Sequence, residues 1–330
     1  MIVRRLGHRG PEVSAVGLGC MAMSGTYGPA DESESIATIH AALDAGITLL
    51  DTGDYYGMGH NELLIARALR DRRDQALLSV KFGGMRDPVG AFTGVDGRPV
   101  AVKNFLAYSL TRLGTDVIDI YRLGRLDPAV PVEETVGAIA EMIDAGYVRH
   151  VGLSEVGAET LRRASAVHPV ADLQIEYSLL SRGIEAEILP ACRELGVGIT
   201  AYGVLSRGLL GGELAGRGSF AAGDVRPGMP RFRPENLTPN LALVDALRTI
   251  ATARGATVAQ VALAWVLSRG DDIVPLVGMR RPARVAPTIA AVELQLSPDE
   301  LAEIEQAAPA AAVAGTRYDE RQMGTLDSER

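Results

Sequence analysis

A (β/α)8 barrel of the TIM type, class α/β, is the fold predicted for this chain of 330 residues. Three observations predict it. Eight short apolar runs recur along the chain. Segments with helical periodicity fall between them. The glycine pattern of a doubly wound nucleotide-binding sheet is missing after the first run. The runs are VGLGC (16–20), ITLLDTG (47–53), LLSVKFG (77–83), VIDIYRLG (117–124), HVGLSEV (150–156), LQIEYS (173–178), GITAYG (198–203) and DIVPLVG (272–278). Several are nearly continuous in Val, Ile and Leu, as parallel strands covered on both faces are. The helical segment after Met21 opens at Asp31, with Glu34 three residues on in capping-box spacing, and stops at Gly46. VKNFLAYSLTRLG, PVEETVGAIAEMIDAG, GAETLRRASAV and EAEILPACRELG follow the later runs in the same manner. Eight such units close into a barrel. A doubly wound sheet needs G-x-G-x-x-G after its first strand, and GLGCMAMSG lacks the third glycine.

Three segments stand outside the eight-fold pattern. MIVRRLG and PEVSAVG read as an N-terminal β-hairpin. Residues 86–100 and 205–236 read as long loops after the third and seventh strands, at the C-terminal face where barrel active sites form. The tail PAAAVAGTRYDERQMGTLDSER is either frayed or laid over the barrel mouth. Composition, 47% hydrophobic and 22% charged, admits one large domain or two smaller ones. The eight-unit pattern assigns residues 1–330 to a single barrel domain. A net charge of -8 without a basic run argues against a nucleic-acid surface. No apolar run is long enough to span a membrane. The N-terminus lacks a signal-peptide core, and two cysteines are too few for a disulfide framework or a cysteine zinc site. A cytoplasmic protein with no metal is expected; oligomeric state is not readable.

The chemistry gathers at strand ends. Asp51, Tyr56 and Lys81 end the second and third runs, neighbours on one rim. An ordinary phenol, with pKa near ~10, is a poor acid at neutral pH. A lysine beside it lowers that value, and a carboxylate holds the lysine charged. Such a set can move a proton for a carbonyl/alcohol pair. A packed tyrosine beside a buried ion pair is the plainer alternative. Only Lys81 and Lys103 are lysines among 33 basic residues, which singles out Lys81.

With LLDTGDYYGMGHNE, VKFG, SLTRLGTDVIDIY, VPVEETVGAIAEMIDAGYVRHVGLSE, LQIEYSLLSR, AYGVLSRGLL and IVPLVGMRR in this order, the chain resembles the aldo-keto reductases nearly end to end, nearest to the bacterial branch shared with potassium-channel β-subunit-like members. The resemblance implies an NADPH-dependent carbonyl reductase acting on a small-molecule aldehyde or ketone. Tyr56 would be the proton donor, Lys81 its tuning cation and Asp51 the partner of Lys81. Ser154 and Gln174 would bond the nicotinamide carboxamide, and Tyr202 would stack on the ring. Gly203, Leu205, Ser206, Arg207 and Gly208 would wrap the pyrophosphate. Arg280, Arg281 and Arg284 would meet the 2′-phosphate. Cys20, Met21, Asp51, Gly278 and Met279 complete the expected cofactor contacts. Glu155 stands where the family often has Asn, and Pro287 and Thr288 where it often has Glu-Asn.

One departure is larger. Aligning Asp119, Tyr121, Arg125 and Asp127–Pro128 puts Gly124 at the family's histidine. Arg122, two residues below on the same face, is the candidate to fill that gap as an oxyanion donor, or else to pair with an interior carboxylate such as Asp51. Tyr55, Phe92 and Tyr318 are candidate substrate walls; Trp265 reads as core. A barrel that holds NADPH, turns over poorly and reports redox state to a partner is the alternative to the enzyme.

Overall fold

The computed structural model describes residues 1–212 and 220–330. The N-terminal hairpin pairs β1 (Val3–Arg5) with β2 (Glu12–Ser14). The chain then enters β3 (Gly17–Gly19), α1 (Glu32–Asp44), β4 (Leu49–Gly53), α2 (His60–Ala68) and β5 (Leu77–Phe82). Next come β6 (Gly84–Arg86), β7 (Phe92–Val95), α3 (Pro99–Leu113), β8 (Ile118–Leu123), α4 (Val132–Asp144) and β9 (Val148–Ser154). The second half runs α5 (Ala158–Val167), β10 (Val170–Glu176), α6 (Ile188–Leu195), β11 (Gly198–Tyr202), α7 (Pro234–Ala253), α8 (Val258–Ser268) and β12 (Ile273–Gly278). It ends in α9 (Val285–Glu293), α10 (Pro298–Ala307) and α11 (Glu320–Met323). β3, β4, β5, β8, β9, β10, β11 and β12 close, all parallel and in chain order, into one barrel. All eight expected strands are there, as is the hairpin.

Two segments differ from their sequence reading. Residues 86–100 are not one loop. β6 and β7 form a second antiparallel hairpin, and Pro99 already opens α3. Likewise α7 begins at Pro234, inside the expected loop 205–236, of which 213–219 lie outside the described residues. At α1, Asp31 caps the amide of Glu34 at 2.7 Å as its spacing implies. Glu34 does not return the bond and instead faces Arg281.

The hairpin decides which end of the barrel is open. Leu6 and Val13 pack with Leu49, Ile120, Val274 and Leu276 into an apolar plug at the N-terminal end. Arg4 bolts the hairpin on by donating to the carbonyls of Leu267, Gly270 and Ile273. The outward strand residues pack under the helices in a second, much larger cluster. Above the plug the interior turns polar. Arg122 is wholly buried; its Nη1 donates to Ser79 Oγ (2.5 Å) and Asp51 Oδ2 (3.2 Å), and its Nη2 to Asp172. Thr200 also donates to Asp172. Two carboxylates, Asp51 and Asp172, thus share this layer with one guanidinium. Removing one partner of a buried pair strands the other in low dielectric. Arg122→Met should therefore cost about 3–5 kcal/mol of stability, read as a fall in denaturation midpoint at unchanged m.

Candidate active site

The open end is built from the last residues of the strands. After Gly53 the ladder continues for one bond, Asp54 N to Lys81 O at 2.8 Å. Tyr55 and Tyr56 follow. The chain then reverses through Gly57, Met58 and Gly59, all at positive φ, before α2 begins. For Met58, at φ 55, this conformation is strained. Asn61 holds the turn: it accepts from Thr52 at 2.6 Å and donates to Cys20 O and Ser24 Oγ. The result turns both tyrosines back over the barrel axis, edge to face, with centroids 5.1 Å apart. A methyl at Gly53 would touch Tyr56 and Lys81 at an ordinary 3.4 Å, so glycine in place of the family's alanine leaves the site's shape intact.

Lys81 Nζ donates to Asp51 Oδ1 at 2.5 Å. Ser79, Arg122 and Gln174 satisfy Asp51 Oδ2. The ammonium lies 5.1 Å from the Tyr56 ring centroid, over its face, and makes no hydrogen bond to the phenol among the described residues. Burial and then the charge of Asp51 push the Tyr56 phenol well above its ordinary value, while Arg125 pulls the other way. Arg125 serves in the sequence only as an alignment marker. Here its guanidinium bonds Gly124 O at 2.6 Å and acts on Tyr55, Tyr202 and Tyr318 as well.

Arg122 does not enter the gap at Gly124. It is bound one layer deeper, and the space beside Gly124 is taken by the Tyr55 hydroxyl. Cys20 is also turned inward: its thiol, amide and carbonyl are all engaged and the residue is fully buried. Met21 is half-buried beside it. Gln174 donates to Asp51 at 2.7 Å, and Ser154 meets Arg125 at 3.4 Å. Gly203, Ser206, Arg207 and Gly208 all hold positive φ, a bend kept by Ser206–Ser178 and Arg207–Glu176 contacts. Leu205 belongs to the same turn. On the far side Gly278 is exposed and Met279 is buried against Thr288. Arg280 Nη1 binds the carbonyls of Tyr27, Gly28 and Pro29. Arg281 is 67% exposed, 3.9 Å from Glu34, and Arg284 is exposed. His60 is bound to Ser24 and Glu32, away from the mouth.

The tail lies over the mouth. Arg317 makes a two-pronged pair with Glu155 (2.9 and 2.7 Å) and reaches Glu176 at 3.5 Å. Ser328 also donates to Glu155, Asp327 accepts from the Gly157 amide, and Tyr318 meets Tyr202 at 3.0 Å. Burial alone would raise the Glu155 carboxyl; Arg317 and Arg125 outweigh it and hold the value down to about 2. Glu155 also accepts from Tyr202 at 2.7 Å, and Glu176 gathers Arg207, Arg231 and Arg317. No sequence signal pairs residues so far apart.

A family model described as the aldo/keto reductase family matches residues 15–309. The chain is 40% identical over 320 residues to a probable aldo-keto reductase 1 of Glycine max, covering 95% of this chain and 91% of that one. It superposes on the glycerol dehydrogenase AKR11B4 of Gluconobacter oxydans with a TM-score of 0.84 at 30% identity, covering 93% and 96%. An aldo/keto reductase from Klebsiella pneumoniae, solved with NADP and acetate, superposes at 0.74 with 28% identity, covering 96% and 99%. This chain belongs to the aldo/keto reductase family.

Two outcomes follow from the charges. Asp54 is buried and no side chain among the described residues hydrogen-bonds it; burial and then Glu62 push it up to about 7, against Arg112 and the weakly aligned amides of Gly83 and Tyr55. The folded state then holds a proton that the unfolded state has lost between about pH 4 and 7, so stability falls as pH rises through that window. Asp54→Asn should raise the melting temperature at pH 8 and leave it nearly unchanged at pH 4. Arg317→Ala should leave Glu155 and Glu176 short of a counter-charge and free the tail, seen as rapid limited proteolysis after residue 309 while the barrel resists.

Proposed function

We propose that the protein reduces an aldehyde or ketone to the alcohol with NADPH, Tyr56 giving the proton. One observation carries this: at the open barrel end Lys81 stands 2.5 Å from Asp51 and against the face of Tyr56. Family membership supports it.

The residues at the mouth suit that cofactor. β3 and β12 end side by side in Gly19 and Gly278. A Cβ added at either would meet only the neighbouring strand's backbone, at 3.8 and 3.9 Å, so this floor is bare peptide on which a flat group can lie. Gln174 gives its N–H to Asp51 and keeps Oε1 without a partner among the described residues, an acceptor for a carboxamide. Ser154 adds a hydroxyl and Tyr202 a ring face. The backbone from Gly203 to Gly208 suits a pyrophosphate, and Arg280, Arg281 and Arg284 a 2′-phosphate. Glu155, engaged by Arg317, is not free to take the amide contact that the family often makes there.

Bound NADPH supplies the hydride that the carbonyl carbon takes up. The oxygen takes its proton from Tyr56, which burial keeps protonated at neutral pH. The phenolate left behind is answered by Lys81 and Arg125. Asp51 fixes Lys81, and solvent returns the proton to Tyr56.

Tyr56→Phe should cut carbonyl-dependent NADPH oxidation by about 10²-fold or more, the share of a general acid, while NADPH still raises the melting temperature. Turnover near that of the unmodified protein would move the proton elsewhere. Arg281→Ala should weaken NADPH by about 1.5–3 kcal/mol, the worth of a charge-assisted bond, and spare NADH; equal losses for both cofactors would refute the 2′-phosphate contact.

A further inference from the structure

The space beside Gly124 is filled from an unexpected direction. A Cβ at residue 124 would stand 2.9 Å from the Tyr55 hydroxyl oxygen, 3.3 Å from its Cε1 and 3.1 Å from Phe82 O. A side chain there and the Tyr55 phenol therefore exclude each other, and in this chain the phenol has the space. A second glycine is shaped to the same ring: a Cβ at Gly84 would lie 2.7–3.1 Å from three Tyr55 ring atoms. The Tyr56 ring stands edge-on to it, and the Arg86 guanidinium lies 5.8 Å from its centroid and as far from that of Phe92. The ring is thus fixed by packing on several sides. Its hydroxyl makes no hydrogen bond among the described residues. Tyr55 is half-buried, so this unpartnered hydroxyl is open to a ligand at the mouth, beside the proposed proton donor. Burial, then the neighbouring Tyr56, keep its proton on, against the pull of Lys81 and Arg125.

We propose that the Tyr55 hydroxyl donates a hydrogen bond to the reacting oxygen of the carbonyl substrate, beside Tyr56, and that Gly124 is the vacancy that lets it do so. This rests on the carbonyl reduction proposed above. The two phenols divide the work. Tyr56 gives its proton up to the oxygen; Tyr55 keeps its own and holds that oxygen in line while charge builds on it. The substrate is bound through an uncharged carbonyl oxygen between two phenols, and no imidazole is needed.

The test is a double-mutant cycle of Tyr55→Phe and Gly124→Ala, measured as kcat and KM for the best aldehyde or ketone of a panel, with NADPH affinity and melting temperature recorded for each variant. Tyr55→Phe removes the hydroxyl. Gly124→Ala pushes it away from the opposite side, so the two changes probe one contact. Each single variant should lower kcat by about 10²-fold, as loss of one oxyanion donor does, with NADPH affinity and melting temperature held. The double variant should lose little more than Tyr55→Phe alone, because the nearest atom that the new methyl strikes, the hydroxyl oxygen at 2.9 Å, is already gone, and the contacts left, at 3.1 and 3.3 Å, need shifts of only a few tenths of an ångström. Wild-type kcat in Tyr55→Phe overturns the inference, and so do losses that multiply in the double variant or fall with the melting temperature. An unmodified protein that binds NADPH and reduces no carbonyl overturns the functional reading and this one together. Activity in the unmodified protein matched by Tyr55→Phe overturns this one alone.

Discussion

The Asp51 carboxylate is the group on which the working end of this barrel stands. It is nearly buried, and an isolated carboxylate in such surroundings is untenable. It is held because three other strands answer it: β5 with Ser79 and Lys81, β8 with Arg122, β10 with Gln174. Arg122 carries the arrangement across to Asp172, which Thr200 of β11 also binds. Two carboxylates and two cations therefore balance inside the barrel. Each strand contributing to this layer is fixed in register against its neighbours by the same contacts that orient Lys81. The position of Tyr56 relative to the lysine follows from this layer, which places the ammonium, and from the turn at Gly57–Gly59, which places the ring; the tyrosine's hydroxyl has no bond of its own among the described residues.

A second ionic layer lies above the first and uses more distant parts of the chain. Glu155 and Glu176 meet Arg207, Arg231 and Arg317, and the terminal residues join through Asp327 and Ser328. Three of the four non-glycine residues at positive φ among the described residues are in the same place. Glu155, Ser206 and Arg207 hold φ values of 54, 46 and 54. Conformations of this kind persist where surrounding contacts over-determine them, and here each of the three side chains is tied by at least one hydrogen bond. The tail is thus part of the rim and shares its partners.

The eight strands were legible because a parallel strand buried on both faces leaves a continuous apolar run. Helix stops at Gly46 and Gly114 were legible because the chain there needs positive φ. The β6–β7 hairpin was not, since glycines and a proline interrupt any alternation in residues 84–95. At the site, residue types pointed to Asp51, Tyr56 and Lys81, and alternation correctly turned Arg122 inward. Two residues along a strand are about 6–7 Å of depth, however, and that is enough to separate the mouth from the layer below, where Asp172 captures the guanidinium. Whether Tyr55 or Arg122 fills the space at Gly124 is settled by ring packing against Gly84 and Tyr56, which spacing does not encode. The pairing of Glu155 with Arg317 crosses 162 residues and has no local signature.

The scarcity of lysine has a consequence for chemistry done on this protein. Lys103 sits on α3, its side chain 45% exposed beside Glu141. Lys81 is sealed against Asp51 with a side-chain exposure of 3%. Apart from the α-amino group, an amine-directed reagent meets only these two targets, one at the surface and one beneath the mouth. Acylation at low reagent levels therefore marks α3, and incorporation at Lys81 on β5 reports how far a reagent reaches past the rim. The arginine-rich exterior is blind to such reagents, which leaves Lys103 as the one side-chain amine outside the barrel interior.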